Sequence, residues 1–208
     1  MKILKNTMIV IIASMVCALG FVSCSDDDDN NNKPEITSVT LKALHDDYKK
    51  LIKQHPEFDG YFVEAQYTLN DIISETPLSE LKATEVEYVF YRFYEGEMFP
   101  TKLLSMERDF ETGEVSEPEL KEAPSPWLGD KHISSVDGYI SLEKALEVMK
   151  NSEYNKYAQT RYVTLRYPLL PNIDRGHALY VFGGSHDREY HLFVDGKTGE
   201  LIADRSNI

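Results

Sequence analysis

The chain has 208 residues with 22 basic and 35 acidic side chains, a formal charge of −13 at pH 7. Lys2 and Lys5 are the only charges before Cys24, so from Cys24 onward 20 basic residues stand against the same 35 acidic ones, a net of −15. A balance that acidic repels phosphate backbones and excludes nucleic acid as the expected partner. At 42% hydrophobic and 11% aromatic the chain has the apolar content to bury a core and is not wholly disordered.

Met1 to Lys5 is a short basic segment, and Met8 to Leu19 is an apolar run of twelve residues. That run suits the hydrophobic region of a secretory signal and falls short of the ~20 residues a bilayer crossing needs. It ends Phe21-Val22-Ser23-Cys24, which resembles a bacterial lipobox, with Phe21 where Leu is usual. The resemblance implies a lipoprotein signal peptide over residues 1–23 and a lipid on Cys24, the first residue of the mature chain. The alternative is an ordinary secretory signal with an incidental Cys. Cys17 leaves with the signal, so Cys24 is the lone mature cysteine and no intramolecular disulfide forms. Residues 24–37 then read as an acidic, solvated tether, because Asp26 to Asp29 repel one another and bury nothing. The tract also looks like the export signal of Bacteroidetes surface lipoproteins, which implies an outer-membrane protein facing the exterior. A plain spacer or a weak calcium-binding tract are the other readings.

Beyond Pro34 the chain runs helix then strands, twice. From Ser38, the residues Leu41, Leu44, Tyr48, Leu51 and Ile52 recur at helical spacing until His55-Pro56 ends the helix. Tyr61, Val63, Ala65, Tyr67 and Leu69 alternate with polar residues, the pattern of a half-buried strand. A polar stretch around Ser74 to Thr84 follows, then strands over Val86 to Tyr94 and Lys102 to Arg108. Pro118, Pro124 and Pro126 mark a linker, set at 118–138. The second pass opens at Ser141, an expected N-cap, with Leu142, Ala145, Leu146 and Met149 on one stripe. Val163, Leu165 and Tyr167 alternate as a strand, Pro168 and Pro171 break the chain, and His177 to Phe182 pairs with Glu189 to Val194 across Gly183-Gly184-Ser185-His186.

Both passes end alike. Asp109-Phe110-Glu111-Thr112-Gly113-Glu114-Val115 matches Asp195-Gly196-Lys197-Thr198-Gly199-Glu200-Leu201, with Asp, Thr, Gly and Glu identical at an offset of 86. Asp109 and Asp195 are expected to accept bonds from nearby backbone N–H groups, and Gly113 and Gly199 to take positive φ. The repeated order predicts an α+β fold of two tandem repeats, 38–117 and 139–208, each a helix packed on a small antiparallel sheet. The helix opening Ser141-Leu142-Glu143-Lys144-Ala145 and the run Leu192 to Leu201 resemble the PepSY domain family. Related tandem repeats occur in secreted inhibitors of β-lactamases. The resemblance covers 139–204 well and 38–117 more loosely, and Asp71 to Thr84 and Pro168 to Gly176 depart from it. It implies a propeptide-like or regulatory module that binds peptidases or other envelope proteins, without catalytic residues.

The chemical motifs are thin. Ser141-Leu142-Glu143-Lys144 and Lys197-Thr198-Gly199 match two boxes of penicillin-binding enzymes on paper. The middle box is missing, and 56 residues leave no room for the helical domain between them, so Ser141 reads as a cap and Thr198-Gly199 as a turn. His186 and His191 with Asp187 form at most a weak exposed metal site, and a polar hairpin explains them as well. No Cys pair supports a metal, and Gly183-Gly184 lacks the Lys-Ser/Thr of a phosphate loop. No cofactor, metal or catalytic residue is therefore expected.

Tyr88-Val89-Phe90-Tyr91-Arg92-Phe93-Tyr94 is apolar or aromatic on both faces. A helix covers only one face of a sheet, so the other meets the second repeat, a dimer mate or a partner. Tyr88, Tyr91 and Tyr94 are the candidate binding residues, since tyrosine anchors interfaces. The expected function is that of a lipid-anchored envelope protein that binds a protein or peptide, with peptidase inhibition or regulation as the role the resemblance implies. An accessory role in glycan or peptide uptake is the alternative, and a small hydrolase the remote one.

Overall fold

The structure, a computed structural model, describes residues 38–92, 101–123, 131–182 and 191–204. Helix α1 (Ser38–Gln54) leads through a short 3-10 turn at Pro56–Phe58 into β1 (Phe62–Leu69), β2 (Ala83–Arg92), β3 (Lys102–Asp109) and β4 (Glu119–Glu122). Helix α2 (Leu142–Lys150) is followed by β5 (Tyr162–Arg166), β6 (Leu179–Phe182), β7 (His191–Asp195) and β8 (Leu201–Asp204). The class is α+β.

The strands join in one antiparallel sheet of order β4-β3-β2-β1-β5-β6-β7-β8, rather than in two small ones. Each half is a meander of hairpins, which pairs every strand with its chain neighbour and leaves the first strand with one open edge. Open edges are rows of unmade hydrogen bonds. β1 and β5 close theirs against each other, from Glu64 opposite Arg166 to Thr68 opposite Tyr162.

Both helices pack on one face of this sheet, and one core runs under both. Leu41, Leu44 and Tyr48 of α1 and Leu142, Ala145, Leu146 and Met149 of α2 share a cluster with Phe62, Ala65, Tyr67, Val86, Tyr88, Phe90, Val163, Leu165 and Tyr180. Tyr48 stacks on Phe90 with ring centroids 3.7 Å apart, and its hydroxyl donates to the Phe58 carbonyl at 2.8 Å. Ser141 is the N-cap that its sequence position implies, accepting from the Lys144 N–H at 3.2 Å.

The structure departs from the sequence pattern in two places. The inward set of β1 is Phe62, Ala65, Tyr67 and Leu69, because the register with β2 slips between Phe62 and Glu64. That irregularity turns Tyr61 out to solvent, 46% exposed, and sends Val63 to the opposite face. Residues 118–138 are also more than a linker: they supply β4, and Ile133 and Val136 are buried in the core.

Candidate binding face

The face of the sheet away from the helices carries the candidate site, and the strand pairings define it. Glu64, Gln66 and Thr68 of β1 share it with Glu85, Glu87, Val89 and Tyr91 of β2, and with Leu103, Ser105, Glu107 and Asp109 of β3. Arg166, Thr164 and Tyr162 extend it across β5, and Leu179, Val181, Phe193 and Asp195 across β6 and β7.

Tyr88 and Tyr91 are not surface anchors. Each is 1% exposed, and they point to opposite faces: Tyr88 into the core beneath the helices, Tyr91 into a second cluster with Val63, Val89 and Leu103. Alternation along β2 requires that split. A strand apolar on both faces is buried on both faces, and that overturns the expectation that either tyrosine docks a partner. Tyr94 and Cys24 lie outside the described residues. The Tyr88 hydroxyl, moreover, is buried without a hydrogen-bond partner. Tyr88→Phe therefore removes an unsatisfied polar atom and keeps the ring, and it is expected to be neutral or to stabilise by up to about 1 kcal/mol in a denaturant melt.

Arg166 and Lys121 are paired with carboxylates of the outer face. Arg166 approaches Glu64 at 3.4 Å, and Gln66 donates to the same carboxylate at 2.5 Å. The Lys121 ammonium lies 2.7 Å from Glu87, 3.8 Å from Glu107 and 3.7 Å from Glu119. Its pKa is raised, first by the bond to Glu87. Glu64 is 5% exposed, and burial pushes its carboxyl up despite Arg166 and Gln66. A raised carboxyl favours the neutral form in the fold. Its contribution is present below the ordinary value of 4.5 and is lost as pH rises through the folded value. Glu64→Gln keeps an acceptor for Arg166 and Gln66, so unfolding curves should show it gaining on wild type as pH climbs above 4.5.

The two turns have the same geometry bond for bond. Asp109 Oδ1 accepts from the N–H groups of Glu111 and Thr112 at 2.7 and 2.8 Å, and Asp195 Oδ1 from those of Lys197 and Thr198 at 2.9 and 2.8 Å. The hydroxyls of Thr112 and Thr198 each accept from the following Glu N–H at 3.2 Å. Gly113 and Gly199 sit at φ of +75° and +74°, the left-handed region in which glycine is unstrained.

The second turn has an addition that the sequence did not signal. His177 Nε2 lies 2.8 and 2.9 Å from the two Asp195 oxygens, and Asp195 is 2% exposed. Burial pushes the Asp195 carboxyl up, but Thr198, His177 and Lys197 outweigh it and hold it below the ordinary range. The partners are 18 residues apart, and only the β6–β7 pairing brings them together.

Ser141 and Lys144 do not face one another as nucleophile and base: the Lys144 ammonium is on Glu147 at 2.8 Å. Among the described residues no three His, Cys, Asp or Glu side chains are grouped to hold a metal ion, and no helix is long and apolar enough to cross a membrane. His186 lies outside the described residues.

No family model matches the chain, and no curated protein matches it. A crystal structure of a candidate lipoprotein from Clostridium difficile 630 aligns at 15% identity and a TM-score of 0.42, over 77% of this chain and 91% of that one.

Proposed function

We propose that the protein is a lipid-anchored cell-envelope protein that acts by binding a protein or peptide, built from two tandem PepSY-like repeats. The observation that carries the repeat reading is the pair of turns, identical in their hydrogen bonds at Asp109 and Asp195. Strand order supports it: outward from the central β1–β5 pair, the strands follow chain order on both sides. Within this reading each repeat is a helix and four strands, and the two interact through β1 and β5. The PepSY resemblance favours a regulatory or peptidase-inhibiting role over an accessory role in uptake.

The anchor rests on the basic start, the apolar run and the small residue before Cys24. Membrane fractionation and mass spectrometry of Cys24→Ala test it. The expected result is loss of the acyl mass and release into the soluble fraction. A variant that stays membrane-bound at unchanged mass would count against the lipidated cysteine.

A further inference from the structure

The two halves of the outer sheet face are covered differently, and the difference points to the chemistry of what docks there. Glu85 stands opposite Asp109, and Leu179 opposite Asp195. If the two turns are equivalent, as proposed above, then Glu85, Glu87 and Glu107 occupy the positions held in the second half by Leu179, Val181 and Phe193. In the second half a segment of chain is seated on those positions. Leu170 and Ile173, at either end of the short turn Pro171–Ile173, pack against Leu179, Val181 and Phe193. In the first half the same positions are open: Glu85 is exposed, and the Glu107 and Glu87 side chains are 48% and 24% exposed. Tyr162, in register with Thr68 and Glu85, adds an aromatic ring that is 47% exposed.

We infer that the outer face of the first half docks a cationic polypeptide segment of a partner protein, with Glu85, Glu87 and Glu107 meeting its lysines or arginines and Tyr162 packing against it. The inference rests on the binding reading above and names the partner's chemistry. The occupied half shows that this face takes a polypeptide segment. The change from Leu, Val and Phe to three glutamates sets the charge of the segment that fits. Lys121, the lysine beside these groups, already has Glu87, Glu107 and Glu119 as partners, and its single charge offsets only part of theirs. A second copy of a chain carrying −15, or an anionic bilayer surface, would be repelled.

The test uses the full lipidated chain in detergent and two labelled peptides of equal length, one alternating lysine with valine and one alternating glutamate with valine, followed by fluorescence anisotropy. The lysine peptide should bind and weaken with salt, and the glutamate peptide should not bind. The triple variant Glu85→Gln, Glu87→Gln, Glu107→Gln should weaken binding by about tenfold or more. A variant with the same change in charge elsewhere, Asp47→Asn, Glu75→Gln, Glu153→Gln, should leave it unchanged, and Tyr162→Ala should weaken it with the melting temperature preserved. Equal weakening by both triple variants, or no binding of the lysine peptide by wild type, overturns the inference. Capture from native membranes separates this result from the broader reading. A partner still held by the Glu85/Glu87/Glu107 variant leaves the binding role standing and removes it from this face. A wild-type chain that captures nothing overturns both.

Discussion

Gly60→Ala is expected to destabilise the protein by about 3 kcal/mol or more, lowering the melting temperature by roughly 6–12 °C. A Cβ at this position would lie 1.4 Å from the Tyr91 carbonyl oxygen and 2.7 Å from the Tyr48 hydroxyl. The first of these is backbone and cannot swing aside. It is also in use, since Tyr61 N–H donates to Tyr91 O at 3.0 Å while Tyr91 N–H donates to Tyr61 O at 2.6 Å. Relieving the clash means breaking that exchange where β1 and β2 meet the chain arriving from α1. Gly113→Ala separates this cause from ordinary glycine strain. Gly113 has positive φ, but a methyl group there would meet nothing within 4 Å, so its cost is conformational alone, about 1 kcal/mol. If the two variants melt together, the close approach at Gly60 is not what makes that position glycine.

Asp195→Ala should cost about 3 kcal/mol, since it leaves the N–H groups of Lys197 and Thr198 and the ring of His177 without their acceptor at a site that is 2% exposed. Asp109→Ala removes the same two turn bonds at an exposed position where water replaces the carboxylate, and its effect should be clearly smaller. The contrast carries a pH signature. The Asp195 pKa is lowered in the fold, so its contribution is present above the ordinary value of 3.8 and is lost as pH falls through the folded value. Asp195→Asn should therefore fall short of wild type at neutral pH and converge with it in acid. Parallel curves for the two proteins down through that range would show that the carboxylate charge is not what holds the turn.

These expectations divide along the line between local and non-local information. Elements set by near neighbours were legible: the end of α1 at His55-Pro56, the cap at Ser141, and both turns, whose closing bonds reach no more than five residues along the chain. Period-2 alternation located β1 and β5 as strands because it follows from backbone geometry alone. What alternation does not specify is what lies across each face. Tyr88 and Tyr91 are the same residue type in the same strand, and their burial depends on helices and strands far away in the chain. The slip between Phe62 and Glu64 depends on pairing with β2, and it exchanges the roles that a regular strand would assign to Tyr61 and Phe62. The pair His177 and Asp195, the partners of Lys121, and the merging of two meanders through β1 and β5 likewise join residues with no sequence signature in common. Most of the segments, the Ser141 cap and the two turns are written in neighbouring residues, because those energies are local. The tertiary structure alone decided which faces are closed and which charges are left open, because burial and strand pairing are contacts between distant parts of the chain.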